Sequence, residues 1–443
     1  MLAVTEAAVA GGVTDFLAFV TEHWQFCLLH FLEFAIWGCW FVVLGNLLNA
    51  RGFSRQDIGR IYGTMPIGSM ISPLFIGPLA DRFVNTEILI GLAHLIGAGL
   101  LFVMAKAKNP RPFYWAALLY ACAFAPTLGL VNSIVFSHND DIFGGAAGAG
   151  FPWIRVFGTL GWIVAGLSHM IILKKNEPVN ERPLLMSCLL SVMLGLFAFT
   201  LPATPPGGSM PAAENAAVEA GQELAAEPAA QVGVIEGSGK MLAAQPVFFA
   251  VTFVAAMAMG LYFAFAALFV EKTGVAANVV GPVMTLGQWI EIFFMLSLPW
   301  FLGPNNSRMN MVLLAGIIAW AVRFGFFSVG RPLVLVLVGI AIHGICFDFF
   351  FAAGFINVDR LAPDGLTATA QTLYGFLVYG LGMYVGSEFS GWLNQRMSRP
   401  GVAEDGTAVL ETNWRAFWLV PCVVVGVAAV VFLVSVWSEI VPG

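Results

Sequence analysis

Ile342-His343-Gly344-Ile345-Cys346-Phe347-Asp348-Phe349-Phe350-Phe351 places a carboxylate and an imidazole among aromatic and aliphatic side chains. It lies inside an apolar run from about Leu333 to Asn357, and about 20 such residues suffice to cross the hydrocarbon core of a bilayer as a helix. Near the middle of that run sits Asp348, with His343 one and a half turns before it. A carboxylate at that depth costs about 2.5–3.5 kcal/mol on insertion scales, so a chain that keeps one pairs it or uses it. Two readings stand: an interhelical hydrogen bond that fixes packing, or a place where a proton or polar ligand is handled. Further polar residues on other apolar runs favour the second.

The whole chain has the same character. Of its 443 residues 59% are hydrophobic and 10% charged, with a mean hydropathy of +0.85. Soluble proteins carry about 25% charged residues, and a soluble fold could not hide this much apolar surface. The chain is therefore expected to be a multi-pass membrane protein. Its net charge of −6 says little about partners, and without a basic stripe no nucleic acid is expected. Cys27, Cys39, Cys122, Cys188, Cys346 and Cys422 all fall in apolar runs without C-x-x-C spacing. They are read as small buried hydrophobes, with no metal and no cofactor implied. Residues 1–23 hold no Lys or Arg and so lack the basic start of a signal peptide.

Twelve runs of membrane-spanning length can be marked: 24–49, 57–79, 87–106, 113–137, 151–173 and 183–202, then 246–270, 280–302, 309–329, 333–357, 367–392 and 414–438. Between the sets, Ala203 to Lys240 is rich in Ala, Pro, Gly and Glu, a composition that cannot bury a core. Within it Ala212 to Ala226 has helical propensity. The expected organisation is all-α: a six-helix half at 1–202, a cytoplasmic linker at 203–245 and a second six-helix half at 246–443. An internal echo supports duplication. Pro73-Leu-Phe-Ile-Gly-Pro-Leu-Ala-Asp-Arg82 ends run 2 and Pro299-Trp-Phe-Leu-Gly-Pro-Asn-Asn-Ser-Arg308 ends run 8. Both follow P-x-F-x-G-P-x-x-x-R, and repeats of this kind mark transporters whose substrate site lies between the halves.

Several runs carry polar residues on one face. Arg155, Thr159 and Trp162 lie at i, i+4 and i+7 in run 5, and Gln288 and Glu291 at i and i+3 in run 8. A mid-membrane Arg needs a carboxylate, a ligand or water. Gln288 offers both donors and acceptors to a ribose or a base edge, and Glu291 can accept from hydroxyls or hold a proton. The plainer alternatives are a structural ion pair and a helix–helix polar clamp. Glu33, one turn before Trp37, is a further candidate proton site, with a structural hydrogen bond the alternative. Arg323 and Glu388 sit nearer run ends, where snorkelling or packing is the default. His30 and His94 are read as satisfied core histidines. Gly237-Ser-Gly-Lys240 is not a phosphate loop, because Val234 and Met241 stand where Gly and Ser/Thr are required.

Six plus six runs, a long linker and Gly77-x-x-x-Asp81-Arg82 resemble the major facilitator superfamily. Within it, the chain resembles the nucleoside:proton symporter family. The likeness rests on Phe34-Ala-Ile-Trp-Gly-Cys-Trp40, Ala125-Pro-Thr-Leu-Gly-Leu-Val-Asn132, Phe151-Pro-Trp-Ile-Arg-Val-Phe-Gly-Thr-Leu-Gly161, Thr285-Leu-Gly-Gln-Trp-Ile-Glu291, Cys346-Phe-Asp-Phe-Phe350 and Thr369-Ala-Gln371. It implies that Arg155, Thr159, Trp162, Gln288, Glu291, His343, Phe347 and Asp348 contact substrate. Trp162 stands where the family pattern has Phe, and His343 where it has Tyr. Run 7, around Gly260 to Phe269, lacks the family's Gln/Asn pair, and Tyr262 is its nearest polar residue.

The resemblance also implies cytoplasmic termini and linker. Loops on that side hold Arg82, Lys240, Arg308 and Arg360, whereas most of the other Lys and Arg, 20 in all, lie opposite. That bias runs against the positive-inside rule; the family orientation is kept. The expectation is a monomeric, multi-pass inner-membrane secondary transporter importing a nucleoside or similar small polar solute with protons. Asp348, Glu291 and Glu33 are the proton candidates, and Arg155 is expected to meet Asp348 or Glu291 across the centre. The alternatives are an uncoupled facilitator, a symporter for another sugar-like solute and, more distantly, a polytopic membrane enzyme.

Overall fold

Proline and glycine set where the helices start and stop. Pro110, Pro183 and Pro246 occupy the first turns of Pro110–Ser137, Arg182–Ala198 and Pro246–Lys272, where a missing N–H removes no hydrogen bond. Gly330, at φ 70°, ends Met309–Val329 in the left-handed conformation that closes a helix. Between such punctuation the apolar stretches are helical, the one open structure that satisfies its own backbone in hydrocarbon. The computed structural model describes residues 12–138, 142, 151–175, 177–206, 234–362, 367–402 and 408–440. Among them, 8 helices are long and apolar enough to span a membrane, or 9 if the bent pair Leu333–Ala341 and His343–Leu361 is one span.

The other three expected runs are helical but interrupted or short. Run 2 is a chain of Arg55–Tyr62, Thr64–Ile71 and Pro73–Arg82, because Pro66 and Pro73 remove ladder hydrogen bonds. Run 6 is the 17-residue helix Arg182–Ala198. Run 11 is Thr367–Gly375, a π-helical turn at Phe376–Gly382, then Met383–Arg396. Much of the expected linker, including Ala212 to Ala226, lies outside the described residues; its end, Val234–Ala244, is a helix. The all-α expectation needs one amendment. Ser398–Val402 and Ala408–Thr412 form an antiparallel hairpin, with Ser398 opposite Thr412, in the loop before the last helix. The two copies of the repeated motif also end differently: the first stays helical to Arg82, whereas the second breaks at Gly303, φ 72°.

The bundle is apolar outside as well as inside. Val423, Val427, Val430 and Val434 of Trp414–Ile440 are 55–71% exposed on one helical face, a surface suited to lipid. Inward, Trp418 stacks on Phe324 at 5.6 Å between centroids.

Tight contacts join the halves at one end, that of the 51–54, 273–276 and 397–413 loops. Asn46 donates to the Ala267 carbonyl at 3.2 Å and also bonds Glu271. Arg55 is buried; its backbone N–H donates to Gln395 and its guanidinium to the Leu410 carbonyl at 3.0 Å, on the hairpin. A Cβ on Gly59 would lie 2.8 Å from the Gly391 backbone, so runs 2 and 11 cross with no room for a side chain. Runs 5 and 8 meet where Gly166 faces Thr285 and His169 faces Gly281. Several arginines on this side serve the fold. Arg51 donates to the Met104, Ala105 and Ala107 carbonyls, capping Thr86–Lys106, and Arg182 donates to Ile172.

Candidate functional site

The crossing of runs 5 and 8 fixes the site. From Gly166 backwards, one face of run 5 carries Trp162, Thr159 and Arg155; from Thr285 forwards, one face of run 8 carries Gln288 and Glu291. The faces that touch at the Gly166–Thr285 contact are thus the faces that carry the polar residues.

On the first half, glycines bring runs 1 and 5 together. A Cβ on Gly38 would sit 3.0–3.1 Å from Trp162, and one on Gly161 would strike Phe31. Closely approached, the two helices present a partly exposed aromatic wall. Trp37 meets Trp162 edge-on at 5.3 Å, and Arg155 lies over the Phe34 ring at 4.3 Å. The guanidinium makes no salt bridge among the described residues. No salt bridge from Arg155 to Asp348 or Glu291 is made in this conformation, and the cation lies on an aromatic face.

On the second half, run 10 bends by 41° between Ala341 and His343. Gly344 lets it press on run 8, since a Cβ there would be 2.8 Å from the Glu291 N and Cα; Gly287 in turn faces His343 at 3.0 Å. His343 Nε2 then lies 3.8 Å from Glu291 Oε2. A π-helical turn starts at Asp348 and runs to Ala352, a distortion frequent at functional sites. Gly316 admits it, as a Cβ there would meet the Phe350 N at 2.7 Å. Asp348 is fully buried, and neither carboxylate oxygen has a hydrogen-bond partner. The indole N–H of Trp37 and the amide oxygen of Gln288 are likewise buried without one. Phe347 is half-buried, 5.9 Å from both the His343 and Phe351 rings.

Residues 21–439 match the family model described as Nucleoside H+ symporter. The chain belongs to that family. It is a transporter family, and the chain is not an enzyme. Among relatives, the putative nucleoside transporter YegT of Escherichia coli is 32% identical over 420 residues, covering 91% of each chain. The xanthosine permease of the same organism is 30% identical over 410 residues, covering 89% of this chain and 90% of its own. Among solved structures, that of the nucleoside transporter NupG aligns with a TM-score of 0.74 at 25% identity, covering 93% of this chain and 98% of that one. This symporter thus has the major facilitator architecture expected from its sequence.

One of the symporter's residues sits elsewhere than its position suggests. Arg323 does not snorkel. It is fully buried, its Nε donating to the Gly339 carbonyl at 2.9 Å and its guanidinium lying 3.6 Å over the Tyr262 ring. Glu33 stands apart from the aromatic wall, inside the first half. It accepts from Thr127 at 2.7 Å and pairs with His94 Nε2 at 2.8 Å, while His94 Nδ1 meets Ser191. Glu388 pairs with Arg60 across the halves at 3.8 Å. His30 has both ring nitrogens engaged, by the Phe26 carbonyl and Asn132. The aromatic wall of Phe34 and Trp37 leaves little mark in the sequence, although both lie within Phe34 to Trp40; two aromatics three residues apart are ordinary in any buried helix.

Proposed function

We propose that this family member imports nucleosides with protons by rocking two helical halves about the contacts at the 51–54 end. Asp348 carries the reading. A carboxylate buried at membrane depth with both oxygens unpartnered is costly unless it exchanges a proton or receives a ligand, and here it opens a π turn beside the Glu291–His343 contact. Opposite stand Arg155, Thr159 and Trp162. Trp162, Trp37 and Phe347 offer faces on which a base can stack, and Gln288 and Glu291 offer hydrogen bonds to hydroxyls or a base edge.

As the halves swing, run 5 approaches runs 8 and 10 along these polar faces, and Arg155 exchanges Phe34 for a carboxylate or for substrate. A protonated carboxylate holds Arg155 less firmly, and bound substrate replaces the lost contacts. Proton and substrate together, or neither, therefore permit the swing, each by its different affinity for the two states. The division at 1–202, 203–245 and 246–443, the cytoplasmic linker and a monomeric carrier belong to the same reading, with the joined end then facing the periplasm.

The nucleoside itself is the finer part. Run 7 offers Tyr262 in place of the family's amide pair, and Tyr262 is buried beneath Arg323. The likeness to the xanthosine permease adds a purine nucleoside to the panel. The test is uptake of labelled uridine, adenosine and xanthosine into proteoliposomes, with and without an inward proton gradient. Saturable, gradient-stimulated uptake of any is expected, and Asp348→Asn should abolish the stimulation. Gradient-stimulated uptake by Asp348→Asn with an unchanged pH profile would remove Asp348 as proton carrier.

A further inference from the structure

The substrate-facing carboxylates do not explain Arg323. It is a fully buried guanidinium, with no carboxylate within salt-bridge distance among the described residues. Its contacts are the Gly339 carbonyl at 2.9 Å, His343 Nδ1 at 3.1 Å and the faces of Tyr262 and Trp320 at 3.6 and 5.1 Å. Its second terminal nitrogen is buried without a partner. A cation placed so deliberately in the second half needs a function.

The bond to His343 supplies one. A guanidinium has donors and no acceptor, so His343 Nδ1 must accept, and the ring's own proton lies on Nε2. That nitrogen is the one 3.8 Å from Glu291 Oε2. Tyr262 holds the plane: its ring stacks on His343 at 5.5 Å and 21° while Arg323 covers it. The groups around the imidazole are thus Arg323 from run 9, Glu291 from run 8, Tyr262 from run 7, and Cys346 and Asp348 on its own run.

We propose that Arg323 is a positioning residue for symport: by donating to Nδ1 it fixes His343 as a neutral Nε2–H donor directed at Glu291, so that the coupling proton rests on a carboxylate and not on the imidazole. A second proton on His343 would have to displace the guanidinium from Nδ1 and set two cations face to face. Without Arg323 that obstacle disappears. A second proton on His343 would then be favoured by the Glu291 carboxylate 3.8 Å away, and the charged ring would occupy the carboxylate that proton and substrate need. This rests on Glu291 being a substrate or proton group, as proposed above.

Two measurements separate the possibilities. The first needs no transport: nitrogen-15 NMR of histidine-labelled protein between pH 5 and 8, with the His343 signals assigned by their loss in His343→Gln. Expected is a proton on Nε2 alone throughout in the native chain, and titration in Arg323→Gln. Titration of His343 in the native chain would overturn the proposal, whatever the carrier transports. The second is the ratio of uptake with and without a proton gradient at pH 5.5 and 7.5. Arg323→Gln should keep the native ratio at pH 7.5 and fall towards unity at pH 5.5, and adding His343→Gln should remove that pH difference. An Arg323→Gln protein with native melting temperature and native ratios at both pH values refutes it, as does a pH 5.5 loss that persists in the double variant. Failure of the native chain to move any nucleoside would instead count against the substrate reading and leave the NMR test standing.

Discussion

Replacing Gly59 by Ala should favour separation of the halves at the end where they now touch. The added Cβ would lie 2.8 Å from both N and Cα of Gly391 and against the Ser387 carbonyl. These are backbone atoms of Met383–Arg396 in the other half, so no side-chain rotation relieves the clash. Overpacking of this kind costs about 1–3 kcal/mol, charged to the joined state alone, because in the opposite state the helices have parted. At about 1.4 kcal/mol per tenfold, the joined population falls roughly 5- to 150-fold relative to the separated one. Asn46 provides the probe, since it is 1% exposed beneath Ala267 and Glu271. With a cysteine at position 46, labelling by a membrane-impermeant maleimide should quicken when Gly59→Ala is added, and maximal uptake should fall because every cycle must pass through closure. Gly99→Ala is the matched control: a Cβ there meets nothing within 4 Å. Equal labelling rates in the two variants would refute the argument that this crossing sets the conformational balance.

Other substitutions test neighbouring claims. Glu33→Gln, inside its set of hydrogen bonds to Thr127 and His94, should lower stability by about 1–3 kcal/mol and leave gradient stimulation intact; a folded variant that lost stimulation would place Glu33 in the proton path. Trp162→Phe should keep the ring contact with Trp37 and transport within about threefold, whereas Trp162→Ala should raise the uptake KM roughly 5- to 150-fold, since stacking on an aromatic is worth about 1–3 kcal/mol per base. Arg55→Ala removes the bond to the hairpin carbonyl of Leu410 and the one to Asn49; it should raise labelling at position 46 as Gly59→Ala does. No change in either labelling or melting temperature would show that this buried arginine does not hold the end closed.

The sequence exposed what insertion energetics make expensive. Asp348, Arg155 and Glu291 stand out because each is charged within an apolar run, and their helical spacing alone puts Arg155 with Thr159 and Trp162. What it could not expose depends on rotation and pairing. Arg323 lies two turns from Gly330, so distance from the helix end suggested snorkelling; its rotation instead places it on the inward face with Trp320 and Phe327, both buried. The bend at His343 and the π turns leave no compositional mark, as Phe-Phe-Phe suits an α turn equally well. Pro66 and Pro73 accompany the breaks in run 2, but hydropathy averages across them, so 57–79 reads as continuous. Whether Arg155 pairs with a carboxylate belongs to a conformation, and one sequence encodes the whole cycle.

The two π turns have a consequence for comparing relatives. A π turn houses one residue more than an α-helix covering the same rise, so Asp348–Ala352 and Phe376–Gly382 are where a single-residue insertion can be absorbed without displacing the helix beyond. Tyr374 stabilises the first, its hydroxyl donating to the Phe350 carbonyl at 3.5 Å from the helix that carries the second. Homologous transporters that keep these helices wholly α-helical should align here with one-residue gaps. An alignment forced through without gaps would rotate every later position of run 10 by about 100°, assigning lipid-facing residues to the pore and pore residues to lipid.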